Sequence, residues 1–279
     1  MTPTAARFTG NRLRASASIE AVAGPGGATR LPVLASQAPL VLRRTPDSVY
    51  LVGGAAGPLG GDSLALRIAV GAGAFLRVRT AAAAIALPGL DGLESVLRVS
   101  VTVADGGRLE YLPEPVVVTA GARHATLVSA TLADGASLVL RDEIVLGRHG
   151  EAGGSARTVL QVSYAGRPLL RQSLSVAGTD PVSLGPAVLA GHRAVGNLLL
   201  AGPPSSTPAS GTLPPTTLPP TTGPSTTPPS TAGPGGSSAA PQAGGPTVAV
   251  MPLAGPGVLV TALANDAVTL RKRLAWPGT

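Results

Sequence analysis

The sequence has no cysteine, only three histidines, and an aromatic content of two Phe, one Trp and three Tyr. Without cysteine there can be no disulfide bond and no thiolate metal site, and His124, His149 and His192 alone make a zinc enzyme a poor interpretation. With so few aromatic side chains, the core has to be built from Val, Leu, Ile and Ala. The chain also lacks the aromatic side chains on which a nucleic-acid-binding surface stacks bases.

Lysine is nearly absent as well. Lys and Arg number 21 against 14 Asp and Glu, and Lys272 is the single lysine, so the net charge of +7 is carried by arginine. These arginines are spread along the chain except for the run RKR at 271–273. A positive balance favours an anionic partner, but aromatic residues do not alternate with the charges. We therefore expect either an acidic protein partner or simply an arginine-rich composition, rather than a nucleic acid partner.

Long apolar runs are missing too. No uninterrupted run approaches the ~20 residues that span a bilayer. Arg7, Arg12 and Arg14 are not followed by the apolar region of a secretory signal peptide. We expect a soluble cytoplasmic protein with no membrane partner.

Proline is abundant in one segment, residues 203–246, which holds 13 of the 28 prolines and no charged residue. Such a composition cannot bury enough apolar surface to offset its ordering entropy, which predicts a disordered or extended insertion. It is either a tolerated loop, or a glycosylated stalk or linker. Residues 247–279 are too short to fold alone. We expect them to complete one main β domain formed by residues 1–202.

Alternating apolar and polar residues dominate positions 63–176, for example Leu64, Leu66 and Ile68 between Ser63, Ala65 and Arg67. This pattern predicts half-buried strands. Glycine-containing turns at 71–73, 105–107 and 134–135 recur roughly every 30 residues and suggest a repeated hairpin between antiparallel strands. The fold class predicted is mainly β, with antiparallel strands and hairpins in a single-domain sandwich or solenoid-like fold.

Helix signals are few, and one or two short helices are expected. The stretch from 266 to 276 reads as a helix capped by Asn265 or Asp266, with basic residues in its later turns and a strand at 257–264 before it. Residues 181–201 fit either an apolar helix or, in their second half, a strand, because three glycines weaken the helical pattern.

The segment GPLGGD at 57–62 could be a phosphate loop, a catalytic or metal site, or a turn. A phosphate loop opens onto a helix N-terminus, whereas Asp62 precedes a strand, and its carboxylate would repel phosphate. From spacing alone, an Asx-type turn is favoured for Asp62.

Other carboxylates lie at strand ends or interrupt apolar runs. Glu110 and Glu114 flank YLP, and Asp142 and Glu143 interrupt LVLRDEIVLG. Simple alternation points Asp142 to the core and Glu143 outward, whereas a β-bulge would reverse them. The ordinary role of Glu143 is a solvated residue or an ion pair with Arg141 or Arg148.

The sequence contains no recognisable hydrolase motif. No serine lies in a GxSxG elbow and no histidine in a recognisable motif. His124 reads as a strand residue, and His149 lies on a glycine-rich loop with Glu151, a weak metal-binding hint.

Taken in order, GPLGGDSLALRIAVGAGAFLRVRT at 57–80, EYLPEP at 110–115, EIVLGRHGE at 143–151 and a terminal GPGVLVTAL resemble the urease accessory protein family UreD, also called UreH. No single segment would be enough, but the ordered set is specific. The resemblance departs after Thr80, where AAAAIALPG replaces the polar residues usual in the family.

The resemblance implies a mostly β, non-enzymatic assembly factor. It would bind the urease apoprotein and recruit the UreF protein and the UreG GTPase, coupling GTP hydrolysis to nickel delivery. No tightly bound cofactor is implied, only transient nickel passing along a proposed water-filled route. The motif positions that would line this route or carry the family pattern are Gly60, Gly61, Asp62, Thr80, Glu110, Glu114, Glu143, Gly147, Arg148 and Glu151, with His124 and His149 as further metal candidates.

Two other classes remain as alternatives. One is a β-rich carbohydrate-active enzyme with a Pro/Thr stalk, since a glycosidase pair of carboxylates is not excluded by sequence. The other is a nucleic-acid-binding β module that rests on the net charge.

Overall fold

The structure is a computed structural model that describes residues 7–9, 12–203 and 247–275. In this part of the chain, strands form an 8-stranded sheet A and a 10-stranded sheet B. Sheet A contains β1 (Arg7–Thr9), β2 (Arg12–Ala23), β3 (Thr29–Ala35), β6 (Ser63–Val70), β9 (Ser95–Val103), β12 (Arg123–Leu132), β14 (Ser155–Tyr164) and β15 (Arg167–Ala177). Sheet B contains β4 (Leu40–Arg44), β5 (Val49–Gly53), β7 (Phe75–Thr80), β8 (Ala84–Ala86), β10 (Arg108–Leu112), β11 (Val116–Val118), β13 (Ser137–Leu146), β16 (Ala194–Ala201), β17 (Val248–Pro252) and β18 (Gly257–Ala264).

The chain winds as a solenoid through the middle of the molecule. Strands β2, β6, β9, β12 and β14 pair in parallel in sheet A, and β5, β7, β10 and β13 pair in parallel in sheet B. The mainly-β, solenoid-like prediction is confirmed. Antiparallel pairs occur at the ends of the sheets, where β14 pairs with β15 and β13 with β16.

The predicted hairpins are wrong for the three glycine turns. Each turn carries the chain from sheet A to sheet B, and the two strands it joins pair with neighbouring coils instead of with each other. The turns stack, since the Gly73 amide donates to the Asp105 carbonyl (3.1 Å) and the Ser137 amide to the Gly107 carbonyl (3.0 Å). Glycine suits such corners because Gly73, Gly106 and Gly135 have φ of 63°, 63° and 73°. A hairpin and a turn between two sheets of a solenoid both show alternating strands joined by a glycine turn, so this pattern alone does not distinguish them.

The main core lies between the two sheets and is almost wholly aliphatic. Leu66 and Val78 have no exposed surface, and Leu138 is 1% exposed. Tyr111 is the one aromatic residue among the fully packed members of this cluster in the described chain. The prediction of an aliphatic core is therefore confirmed with one exception.

The C-terminal residues extend sheet B. Strand β18 pairs antiparallel with β16, and β17 pairs with β18. Helix α2 (Ala267–Arg273) follows, with the Asp266 carboxylate accepting the Thr269 amide at its start. Its Leu270, together with Leu274 just after it, packs with Leu198 and Val260 on the outer face of sheet B. The predicted strand and helix are both present, which leaves Asp266 as the capping residue.

Residues 181–201 contain both of the elements considered for them. A short helix α1 (Pro181–Leu184) is capped by the Asp180 carboxylate and is followed by β16. The predicted insertion at 203–246 lies outside the described residues apart from Pro203. Within the described chain, no helix is both long and apolar enough to cross a membrane.

Candidate functional site

Gly60, Gly61 and Asp62 form a tight turn at the start of β6. A Cβ on Gly60 would lie 2.5 Å from the amide nitrogen of Gly89, so only glycine lets these two backbone segments approach. The Asp62 side chain accepts hydrogen bonds from the backbone amides of Leu59 (2.9 Å) and Leu13 (3.0 Å). Asp62 is 3% exposed. The carboxylate accepts backbone amides, as predicted for a turn residue, but these belong to Leu59 in the turn and Leu13 on β2, not to the residue two positions further on that an Asx turn uses.

The most highly charged cluster of the described chain lies on the outer face of sheet B, beneath α2. It consists of Glu114, which follows β10, Arg141 and Glu143 on β13, and Arg271 on α2; we call it the α2 charge cluster. Alternation along β13 places Arg141 and Glu143 on the outer face and Asp142 between the sheets. The orientation predicted from simple alternation is therefore confirmed, although α2 covers Glu143 from solvent.

Arg271 is the centre of the α2 charge cluster. Its Nε donates to both carboxylate oxygens of Glu143, at 2.9 and 3.1 Å, and its Nη2 lies 2.5 Å from Oε2 of the same group. The guanidinium also donates to the two oxygens of Glu114, at 3.0 and 3.2 Å. One arginine of the C-terminal helix therefore holds two acidic side chains from the solenoid.

Arg141 supports the same carboxylates from within the sheet. Its Nε is 3.5 Å from Glu143 and its Nη2 is 3.7 Å from Glu114. It also donates to the carbonyls of Leu112 (3.3 Å) and Pro113 (3.1 Å), which fixes its position below the helix. Two carboxylates and two guanidiniums balance formally to zero net charge.

Burial differs sharply within the α2 charge cluster. The Glu143 side chain has no exposed surface and that of Arg141 is 8% exposed, whereas Glu114 and Arg271 keep 37% and 31%. Hydrogen bonding to Glu143 raises the pKa of Arg271, and burial lowers the pKa of Arg141. Because an unpaired buried carboxylate is very unfavourable, the two arginines stabilise the folded protein around the buried Glu143 side chain.

The remaining motif residues form separate local contacts. Glu110 pairs with Arg77 across β10 and β7 at 2.5 Å. The Thr80 hydroxyl accepts the Glu114 amide at 2.8 Å, which joins Thr80 to the α2 charge cluster. In the loop after β13, the Glu151 carboxylate bonds to the Arg148 side chain (2.8 Å) and amide (3.0 Å), as well as to the amide of Ala120 (3.2 Å). Gly147, at the start of that loop, has a φ of 76°.

Asp142 lies on the inner face of sheet B, among residues that face the space between the sheets. The Thr158 hydroxyl of sheet A donates to its carboxyl group, and burial raises the pKa of Asp142 to about 7. Tyr111 is fully buried near Asp142, and its pKa is also raised by burial. The interior of the solenoid therefore contains an acid that changes its charge near neutral pH.

The two histidines considered as metal candidates lie in different settings. His124 is 3% exposed, with Nδ1 2.9 Å from the Ser95 hydroxyl and Nε2 3.2 Å from that of Thr126, and burial lowers its pKa to about 4. His149 lies exposed on the loop after β13. No three His, Asp or Glu side chains converge into a possible metal site in the residues described.

Comparison with known proteins agrees with the motif order. A family model described as UreD urease accessory protein matches residues 13–276. The chain belongs to the UreD family. It is 42% identical to a "Urease accessory protein UreD" of Parafrankia sp., over 94% of this chain and 86% of that protein. It is 43% identical to "Urease accessory protein UreD 3" of Streptomyces griseus over 94% of each, and 40% identical to the UreD of Frankia casuarinae over 97% and 90%.

Sequence reasoning missed Arg271 and underrated Asp142. In the sequence, Arg271 is only part of a basic run at a helix end, because the residue it binds, Glu143, lies 128 positions earlier. Alternation predicts that Asp142 faces inward, but its raised pKa depends on burial between the two sheets. For this UreD family member, a more useful signal was an aspartate at an inward position of an apolar strand.

Proposed function

We propose that this UreD family member is a non-catalytic urease maturation factor. It binds the urease apoprotein and recruits UreF-type and UreG-type proteins, so that nickel is inserted into the urease active site. The observation that supports the proposal most is the family match over residues 13–276, together with relatives that are matched over most of their length. Nothing in the described chain favours the carbohydrate-active alternative, since the two converging glutamates are held by Arg271.

Nickel is the cargo in this proposal, and the residues proposed for its route are Asp62, Glu114 and Glu143. Their contacts set conditions on that role. Both oxygens of Asp62 accept backbone amides, and both glutamates are bound by arginine. A divalent ion would compete with a guanidinium at either glutamate, and the Glu143 side chain has no surface exposed to solvent.

We add Asp142 to the proposed route, because it faces the space between the sheets and no arginine binds it among the described residues. Nickel accepts carboxylate, hydroxyl and imidazole ligands, and a carrier has to hold it loosely enough for release. A carboxyl group with a pKa of about 7 exchanges its proton for a cation at neutral pH. Thr158 and Thr126 supply hydroxyl oxygens on the facing sheet.

The test is maturation of urease with single variants. The chain is expressed with urease subunits and UreF-type and UreG-type proteins, and nickel per urease and the yield of assembled complex are measured. Asp142→Asn, Asp62→Asn and Glu143→Gln are compared with Glu94→Gln, a change to an ion-paired carboxylate outside the set of motif positions. The route predicts less nickel in the first three variants at unchanged complex yield.

Two outcomes would contradict parts of this proposal separately. A normal nickel content of urease with all three variants, or a nickel content that falls only in proportion to complex yield, would rule out the proposed route. Undiminished urease activation in a strain lacking this chain removes the maturation role itself.

A further inference from the structure

The outer face of sheet A is rich in exposed arginine. Alternation and strand register place one set of side chains of β2, β6, β9, β12, β14 and β15 on this face. We call it the arginine face. Its exposed arginines are Arg14, Arg67, Arg98, Arg123 and Arg171, with half-buried Arg157 beside them.

Positive charge on this face is poorly compensated. Arg157 pairs with Glu94 at 2.8 Å. Of the five exposed arginines, Arg98 donates to the Ser63 hydroxyl at 3.2 Å, and none forms an ion pair with a residue in the described part of the chain. Glu20, on β2, is the carboxylate that shares the outward alternation. These guanidiniums are available to bind anions from outside.

Most of the other side chains on the arginine face are small. One row across the sheet runs Ser16, Ala65, Arg98, Leu127, Val159 and Ser173. The next runs Ser18, Arg67, Ser100, Ser129, Gln161 and Arg171. Because neighbouring strands are ~4.8 Å apart and residues rise ~3.3 Å along a strand, six strands of eight residues give a footprint of roughly 24 Å by 23 Å. That area, about 550 Å², is about two thirds of the ~800 Å² that one partner contributes to a standard protein interface.

The geometry points to an acidic protein surface as the occupant of the arginine face. Guanidinium groups bind carboxylates through paired hydrogen bonds, and half-buried Leu127 and Val159 give an apolar centre between them. Nucleic acid readers present stacking aromatics or an element that enters a groove, and the outward rows of this sheet contain neither. A protein that lies on an anionic membrane typically inserts aromatic or leucine side chains of an amphipathic helix, and the arginine face has no such helix.

The inference rests on the proposed function for its choice of partners: urease apoprotein, the UreF-type protein and the UreG-type protein. The test compares Arg67→Glu/Arg98→Glu with Arg43→Glu/Arg44→Glu, which reverses two exposed charges on β4 of sheet B. Dissociation constants for each of the three proteins are measured at low and high salt. Both variants are checked first for unchanged melting temperature and circular dichroism.

Reversal on the arginine face should weaken binding to at least one of the three proteins tenfold or more and reduce its dependence on salt, while the sheet B variant binds like the wild type. Equal affinities for the two variants would overturn the inference. So would a loss confined to duplex DNA or phosphatidylserine vesicles, which would assign the face to another class of partner. A wild-type chain that binds none of the three proteins would instead refute the proposed function.

Discussion

Replacing Arg271 with alanine is expected to destabilise the protein through Glu143 much more than through Glu114. The variant removes the nearest cation from a carboxylate without exposed surface, and Arg141 remains 3.5 Å away as partial compensation. Removing one partner of a buried ion pair costs ~3–5 kcal/mol, because the other charge stays buried. With Arg141 in place we expect the lower end, a loss of about 3 kcal/mol in the free energy of unfolding.

Glu114 provides the internal comparison. It and Arg271 are 37% and 31% exposed, so solvent screens their interaction, and such pairs contribute ~0–1 kcal/mol. Glu114→Gln should therefore lower the free energy of unfolding by no more than about 1 kcal/mol. The loss in Arg271→Ala corresponds to a drop of about 6 to 12 °C in melting temperature.

Urea unfolding followed by circular dichroism measures these differences, with Glu143→Gln and Arg271→Ala/Glu143→Gln completing a double-mutant cycle. Because the glutamine carries no charge, the double variant should be more stable than Arg271→Ala alone. An Arg271→Ala variant within 1 kcal/mol of wild type, or one no less stable than Glu114→Gln, would show that the buried charge does not govern the stability of this region.

Four further outcomes are expected. The pKa of Asp142 in the folded protein, about 7, is higher than in the unfolded chain. The contribution of Asp142 to the free energy of unfolding therefore falls as pH rises from about 4 to about 7, by at most about 4 kcal/mol. The Asp142→Asn variant should lack this pH dependence in urea unfolding. His124, with its pKa lowered to about 4, has the opposite sign, and in the same assay His124→Gln should lose less stability than wild type as pH falls below 6.5. Gly60→Ala should lower the melting temperature sharply because its Cβ meets the Gly89 backbone, whereas Gly53→Ala, with its nearest atom at 3.8 Å, should not. Replacing residues 203–246 with a short Gly/Ser connector should leave melting temperature and partner binding nearly unchanged, since loop length contributes only ~0.6 kcal/mol per doubling, and loss of folding would contradict this.

Local patterns predicted the elements of this fold better than their partners. Alternation predicted the strands at Ser63–Val70 and Ser95–Val103, and a capping aspartate predicted α2. The pairing was wrong because a glycine corner between two strands has the same local signature whether the chain folds back in one sheet or crosses to another. Only the register with the next coil separates the two, and that is a long-range property.

The candidate site shows the same division. A turn at Asp62 follows from the glycines just before it, but its bond to the Leu13 amide, 49 positions earlier, does not. The burial of Glu143 does not, because it requires a helix from the far end of the chain. The sequence predicts the motif that contains Glu143 and the outward direction of its side chain, but it does not predict that Arg271 binds it.

The residues of the α2 charge cluster are synthesised at different times, because they lie far apart in the sequence. Glu114 and Arg141 belong to the middle of the chain, and Arg271 belongs to its last helix. A nascent chain translated as far as β16 already has the strand that carries Glu143 but lacks the arginine that covers it. If sheet B has formed before α2 is made, this part of it exposes acidic side chains and the leucines that α2 covers. A chaperone or partner that recognises that surface would distinguish a chain without α2 from a chain in which α2 is in place.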